Sequence, residues 1–515
     1  MKNFTIFFSV LLGFSTFADV SWPQWRGPNR DGIAKERQDE IILLKKPLLL
    51  WDSQYIPSQD NGGFGSIITD SKNAYLSLVW HREIPTETRM ISDLVLRELG
   101  ARKINLPNDL IRKAEQDRLM LRPRLRGSKL EEWIKVWLDK NLSQRQKMIQ
   151  GDNLASRFRK GKLALPVDLI NRLHQEKNRV FANQAEIDEW LGKQQFTIQE
   201  AERISQAVPP TKRVADDVVL ALDLHSGKTL WKRSLSGSPS GRTSSSTPTY
   251  HKGKLFIVGS SRIFCVDSKT GGVVWDNKIE IEGVASSPLC VEGLVVVLAG
   301  NLRAYSQETG ELVWENKEVK GKSASPIEWN FDGLRRIICN GSKKVFAISP
   351  TSGKTLWSGP GGGSSTPVCN RNLLIVHSNN ESAGLIAYEG KENYISELWR
   401  YPKITRRADS SPLVYEGVAY LIGAGMRASF DLTTGELFRK EVAKHDISSP
   451  VIFGNKIFAY EIKGSFLQAI DTTPGNFRSY YRYKLNALRC TSPCITNGKL
   501  LIRKDDRISC YQLCE

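Results

Sequence analysis

The hexapeptide Ser-Gly-Lys-Thr-Leu-Trp stands twice in the chain, at residues 226–231 and 352–357, and its Gly-Lys-Thr core could belong to a phosphate-binding loop. Such a loop reads Gly-x-x-x-x-Gly-Lys-Ser/Thr, because backbone amides freed by both glycines cradle the phosphates. Leu222 and Ile348 hold the place of the first glycine, so this chemistry is excluded. Thiol and metal chemistry fare no better. The eight cysteines, at 265, 290, 339, 369, 490, 494, 510 and 514, form no C-x-x-C pair, no adjacent pair and no C-x-x-C-H haem motif, and the six histidines lack metal-ligand spacing. The last four cysteines are close enough in sequence for a disulfide, with the pairing left open. What remains is a set of polar residues shortly before Ser/Thr-Pro steps: Arg242, Arg406, Arg407, Asp409, His445, Asp446 and Arg489. In "RRADSSP" and "KHDISSP" the acids could face a ligand, or their carboxylates could take the N–H groups of their own turns. We prefer the second reading and expect no catalytic residue and no metal.

The elements that position these residues repeat. Ser or Thr precedes Pro248, Pro288, Pro326, Pro367, Pro412, Pro450 and Pro493, at intervals of 38 to 45 residues. Each step is followed by an apolar pair, a Gly or Asn turn and a second apolar run, as in "SSPLVYEGVAYLIGAG". A second marker runs in phase: "LALDLHSGKTLW", "FCVDSKTGGVVW", "RAYSQETGELVW" and "FAISPTSGKTLW", with weaker copies downstream. Each period therefore reads as four short strands, the pattern of a propeller blade. Seven Ser/Thr-Pro strands begin seven blades. "GFGSIITDSKNAYLSLVW" (63–80) begins an eighth, with Ile67 in the proline position, and "VVLALDLHSGKTLW" completes it. The orphan strand "DRISCYQL" near the C-terminus lacks an outer partner, which "PLLLWDS" (47–53) can supply, sealing the ring without a bare edge. The expected fold is an all-β, eight-bladed propeller.

In this frame the hexapeptide is structural. Asp223 can accept turn amides, Gly227 supplies the left-handed turn position, and Trp231 falls on the outer strand, where it can pack on the neighbouring blade. The third strands carry one small residue each: Ala221, Cys265, Ala304, Ala347, Ala387, Ser429, Ala469 and Cys510. The Ala-x-Asp-x-x-Thr/Ser-Gly-x-x-x-Trp unit resembles the tryptophan-docking motif of the pyrroloquinoline-quinone (PQQ) repeat propellers, over about residues 20–80 and 213–515. "WPQWRGPNRDG" (22–32) is similar to the leader of exported PQQ-like proteins of planctomycete-type bacteria. The family includes quinoprotein alcohol dehydrogenases and the propeller lipoprotein of outer-membrane protein assembly. The resemblance implies two alternatives: a non-catalytic binding or assembly module without cofactor, or a PQQ- and calcium-dependent dehydrogenase of an alcohol or sugar. The second needs an acidic base and a Glu-Asn-Asp calcium site over the quinone, and the adjacent cysteines frequent in such dehydrogenases are missing. We favour the binding module.

Residues 1–18 read as a secretory signal: Lys2, an apolar run from Phe4 to Phe17, and small residues flanking a cut before Asp19. The run is shorter than the ~20 residues of a spanning helix, and no cysteine near the cut could take a lipid. A leader at 19–46 and the first propeller piece at 47–80 follow. Residues 81–212 then break the period with a helical insertion, before the propeller resumes at 213–515. "SKLEEWIKVWLDK" carries an apolar stripe of Leu130, Trp133, Ile134, Trp137 and Leu138, with Ser128 and Glu131 as an expected capping box. "LPNDLI" (106–111) recurs as "LPVDLI" (165–170), "LEEWI" as "IDEWL", and Ser143/Gln146 as Thr197/Glu200, so the insertion is a duplicated unit. It joins the second and third strands of blade one, a connection that leaves from the end carrying the inter-blade loops, so it is expected over that face as a lid or docking module. Of the net +18 charge, residues 81–215 hold +9 (27 Lys and Arg less 18 Asp and Glu). A basic face suits anionic envelope polymers, lipid head groups or an acidic partner. The expectation is a periplasmic or secreted monomer that binds an envelope protein or anionic polymer on its inter-blade-loop face, with no nucleic acid and no transmembrane segment.

Overall fold

The structure, a computed structural model, describes residues 21–35, 41–56, 63–235, 245–380, 382–392, 394–402 and 409–515. The expected signal segment and Arg242, Arg406 and Arg407 lie outside the described residues. The chain divides into two compact units, residues 1–81 with 215–515, and residues 82–214. Among the described residues no helix is long and apolar enough to cross a membrane.

The first unit contains eight antiparallel meander sheets. Sheet 1 comprises strands within 68–85 and 211–235, sheet 2 spans 249–278, sheet 3 289–321, sheet 4 327–360, sheet 5 368–401, sheet 6 413–442 and sheet 7 451–484. Sheet 8 takes three strands from 494–514 and its outer strand, Leu43–Asp52, from the opposite end of the chain. That strand pairs with Ile508–Cys514, bringing Trp51 opposite Cys510. Sheet 3 departs from the four-strand expectation: Leu294–Ser306 runs through the place of two strands, leaving three.

The eight small third-strand residues, all inaccessible to solvent, have a common task. Ala221, Cys265, Ala304, Ala347 and Ala387 each pair across the strands with the Trp of the outer strand, at 231, 275, 314, 357 and 399. A register shift follows directly after each pair and turns the indole outward. The ring then covers the turn glycine of the next sheet. A Cβ on Gly271 would lie 2.5 Å from Trp231, and one on Gly353 2.5 Å from Trp314. The indole N–H groups complete the joint, Trp231 donating to Ser268 O at 3.0 Å, Trp275 to Gln307 O at 3.1 Å, Trp314 to Pro350 O at 2.9 Å and Trp399 to Leu432 O at 2.9 Å. In the first hexapeptide Asp223 accepts the Ser226 amide at 2.7 Å, and Gly227 has φ +71°.

The second hexapeptide does not repeat this joint. Trp357 instead meets Tyr388 edge-on at 4.9 Å. Sheet 5 extends its hairpin strands to a Lys391–Tyr394 pair, so no turn glycine is presented there. Its boundary with sheet 4 is closed by Trp329, which donates to Arg371 O at 2.8 Å, and by Phe331 over Gly390.

The second unit has helices α1 (Asp93–Glu98), α2 (Asn108–Leu119), α3 (Ser128–Asn141), α4 (Gln144–Lys160), α5 (Val167–Gln175), α6 (Gln184–Lys193) and α7 (Ile198–Ala207). Helices α2 and α5 each start after a proline, Pro107 and Pro166, and α4 and α7 each open with the capping box, Ser143/Gln146 and Thr197/Glu200. Two cores result, one from α2–α4 around Ile134, Trp137 and Phe158, the other from α1 and α5–α7 around Ile170, Leu173, Ile187 and Ile204. The stripe of α3 is core, with Trp133 and Trp137 edge-on to Phe158 at 5.1 and 4.8 Å. The capping box expected at Ser128 and Glu131 is absent. Gly127, at φ +60°, holds the N-cap position, Ser128 is the first helical residue, and Glu131 pairs with Arg159 at 2.7 Å.

Candidate functional site

Two positions ahead of each inner strand stands a hydroxyl residue, and these eight form a closed chain of hydrogen bonds. The Ser66 amide donates to Thr247 Oγ1 at 2.8 Å, Thr247 N to Ser287 Oγ at 3.0 Å, and Ser287 N to Ser325 Oγ at 3.1 Å. Ser325 N continues to Thr366 Oγ1 at 2.8 Å, Thr366 N to Ser411 Oγ at 3.1 Å and Ser411 N to Ser449 Oγ at 3.1 Å. Ser449 N reaches Ser492 Oγ at 3.3 Å, and Ser492 N returns to Ser66 Oγ at 2.9 Å. Each inner strand thus has one buried amide satisfied by its neighbour. Proline follows in seven cases because the next position donates to nothing.

The centre of this ring is filled by the chain itself. Arg30 is 1% exposed. It donates to Gln24 Oε1 at 2.7 Å and to the carbonyls of Ser287 and Pro326 at 3.2 and 2.9 Å, and it also reaches the Pro288 carbonyl. Arg26 donates to Pro412 O and to Asp31 O. Trp22 exchanges bonds with Thr69, Tyr250 N donates to Pro23 O, and Ile33 bridges Ile452 in parallel. Residues 22–34 therefore touch sheets 1, 2, 3, 4, 6 and 7. Among the described residues no carboxylate neutralises either arginine at contact distance, and burial draws Arg26 down to about 10 and Arg30 to about 9.

The described candidates sit where the outer strand of one sheet passes to the inner strand of the next. Asp409 enters sheet 6, His445 and Asp446 enter sheet 7, and Arg489 enters sheet 8. Asp446 Oδ1 accepts the Ile447 amide at 2.8 Å, and its main chain bonds Tyr460 O and Ala424 N at 2.8 Å, so this acid serves its turn. His445 is buried and bridges Glu461, whose carboxylate accepts from Arg482 at 2.5 Å. Arg489 is exposed, with its guanidinium 5.5 Å from the ring of Phe64.

Sequence reasoning missed the residues that end the second strands. His377 Nδ1 donates to Ser410 O at 3.2 Å, and Asn340 Nδ2 donates to Ser365 O at 3.0 Å, tying sheets 4, 5 and 6 together at the same end as Asp409 and Asp446. Asp217 accepts the Ser260 amide at 2.7 Å and lies 3.3 Å from Arg262. Burial sets their protonation: it lowers His377 and His445 to about 4 and lifts Asp217 to about 6. The signal was available, since His377, Asn340, Glu461 and Arg503 each close an otherwise apolar run.

Among the described residues no three His, Cys, Asp or Glu side chains gather as a metal-holding group. Asp446 gives Oδ1 to the Ile447 amide, while its buried Oδ2 has no partner among the described residues, and no step is derived through the calcium and quinone of the dehydrogenase alternative.

A family model described as outer membrane protein assembly factor BamB matches residues 215–360 and 299–513. Outer membrane protein assembly factor BamB of Moranella endobia (strain PCIT) is 24% identical over 315 residues, which is 56% of this chain and 78% of the relative. That of Escherichia coli (strain K12) is 27% identical over 126 residues, 22% of this chain and 31% of the relative. Among solved structures, BamB from Moraxella catarrhalis aligns with a TM-score of 0.47 at 15% identity, over 57% of this chain and 88% of its own. A europium-containing methanol dehydrogenase aligns with a TM-score of 0.44 at 15% identity, over 57% of this chain and 81% of its own.

Proposed function

Since the chain belongs to the family described as outer membrane protein assembly factor BamB, we propose that it is an exported, non-catalytic binding and assembly module of the cell envelope. Its eight sheets are read as the blades of one propeller. The observation that carries this reading is the filled centre. Residues 22–34 occupy the ring with two buried arginines bonded to backbone carbonyls, which leaves the connections between sheets as the surface on which a partner is recognised. The relatives' name makes them assembly factors of outer membrane proteins, and a role of that kind calls for a rigid recognition surface rather than a proton relay. The partner is an envelope protein, or an anionic polymer, held by a monomer on the connection face. The protein resides in the periplasm or is secreted, its signal removed before Asp19.

The test compares two surface variants as baits for envelope extract. Asp409→Lys/Arg489→Glu alters the connection face, while Thr433→Lys alters a hairpin turn at the opposite end of the strands. The parent and the Thr433 variant should capture the same protein in stoichiometric amount, and the double variant should lose it while keeping its melting temperature. Dye reduction that depends on added PQQ and calcium would overturn the proposal in favour of the dehydrogenase.

A further inference from the structure

The second unit carries a surface that the loop-face reading does not use. Helix α2 ends in Leu119 and Met120, and the short turn Gly161–Leu163 follows α4. The two are tied together, since Arg118 donates to Gly161 O at 2.5 Å. Leu119, Met120 and Leu163 are 50%, 77% and 71% exposed. One exposed leucine needs no explanation, but three long, flexible apolar side chains at one joint do.

Their surroundings give the explanation. Arg122, Arg124 and Arg126 follow on one flank, and Lys160 and Lys162 stand on the other, all exposed. None of the five forms an ion pair with a described carboxylate, and the nearby acids are engaged elsewhere. Glu115 is held by Arg118 and Arg157 at 2.7 Å, Asp117 accepts from Trp137 Nε1 at 2.6 Å, and Glu131 takes Arg159. Five unpaired cations thus frame an apolar knob.

We propose that this patch docks the protein on an anionic phospholipid surface. Leu119, Met120 and Leu163 enter the head-group region, and the flanking cations rest on lipid phosphates. The attraction is independent of the partner recognised by the first unit.

The experiment is co-sedimentation of the full mature chain with phosphatidylcholine vesicles, with and without phosphatidylglycerol. Binding should require phosphatidylglycerol and vanish at high salt, since screening shortens from ~10 Å at 0.1 M to ~3 Å at 1 M. Arg122→Gln/Arg124→Gln/Arg126→Gln should weaken partitioning about a hundredfold, at about fivefold per cation. Met120→Ser/Leu163→Ser should weaken it about tenfold with charge unchanged. Unaltered helical circular dichroism in both variants shows that the unit stays folded. Equal affinity for neutral vesicles, or an arginine variant as tight as the parent, would overturn the proposal. So would an unaffected Met120/Leu163 variant, which would reduce the surface to plain attraction for any acidic polymer.

Discussion

Replacing Trp314 by Ala should remove a joint between sheets 3 and 4. The ring is 9% exposed, covers Gly353 and donates to Pro350 O at 2.9 Å. A tryptophan buries ~150–250 Å², or ~4–6 kcal/mol at ~25 cal/mol/Å². That figure is an upper bound because unfolded chains are already partly compact. Replacements of this kind cost ~3–5 kcal/mol, so the expected loss is about 4 kcal/mol, a large part of the ~5–15 kcal/mol that holds a typical domain. Trp357, edge-on to Tyr388 and half-buried, should cost about 1–2 kcal/mol. Gly353→Ala adds a methyl 2.5 Å from the Trp314 ring at φ +67°. Left-handed backbone accounts for ~1–2 kcal/mol of its cost and overpacking for ~1–3 kcal/mol. In the double variant with Trp314→Ala the overpacking vanishes, so the paired losses should fall short of additive by about 1–3 kcal/mol. Urea unfolding followed by far-ultraviolet circular dichroism measures the parent and all four variants. Equal losses at 314 and 357, or an additive cycle, would refute the docking argument.

Arg30→Met should cost about 2–4 kcal/mol, because it orphans the carbonyls of Ser287 and Pro326, and limited proteolysis should then cut within residues 21–35, which the parent protects. Stability should also fall with acidity. His377 and His445, lowered to about 4, take up protons on unfolding between about pH 6.5 and 4, so their contribution is complete above that window and lost as pH drops through it. Asp217, raised to about 6, acts with the opposite sign, its contribution present at low pH and lost as pH rises through 6; His377→Gln should therefore flatten the pH dependence of urea midpoints by on the order of 3 kcal/mol. Joining residue 81 to 215 through a short linker should leave a folded first unit, because the strands on both sides belong to sheet 1; loss of strand circular dichroism would contradict this.

What could be read from the sequence was whatever each sheet repeats for itself. The hydroxyl ahead of each inner strand and the small third-strand residue are local requirements met in all eight sheets, while the indole opposite that residue and the turn glycine recur only in some, Ser429 and Ala469 facing Arg439 and Tyr481. The destination of the leader was hidden because its partners are backbone carbonyls: Arg30 finds those of Ser287 and Pro326 257 and 296 residues away, and a carbonyl leaves no mark on residue identity. The difference between Trp231 and Trp357 was equally hidden, since it depends on the hairpin of the following sheet rather than on the hexapeptide. At Ser128 the local signal misled, because Gly127 adopts a left-handed conformation that takes over the cap. For the connection face, Asp446 Oδ1 accepts the amide of the next residue, a contact local enough to read from the sequence, while His377 and Asn340 required asking why an apolar strand should end in a buried polar residue.

The most direct test of the central claim is photo-crosslinking inside the intact envelope, with a photoreactive amino acid placed at 409 on the connection face or at 433 on the opposite face. A single protein adduct from position 409, missing from position 433, is the predicted result. Adducts of equal yield from both positions, or none from 409, would contradict recognition by the connection face.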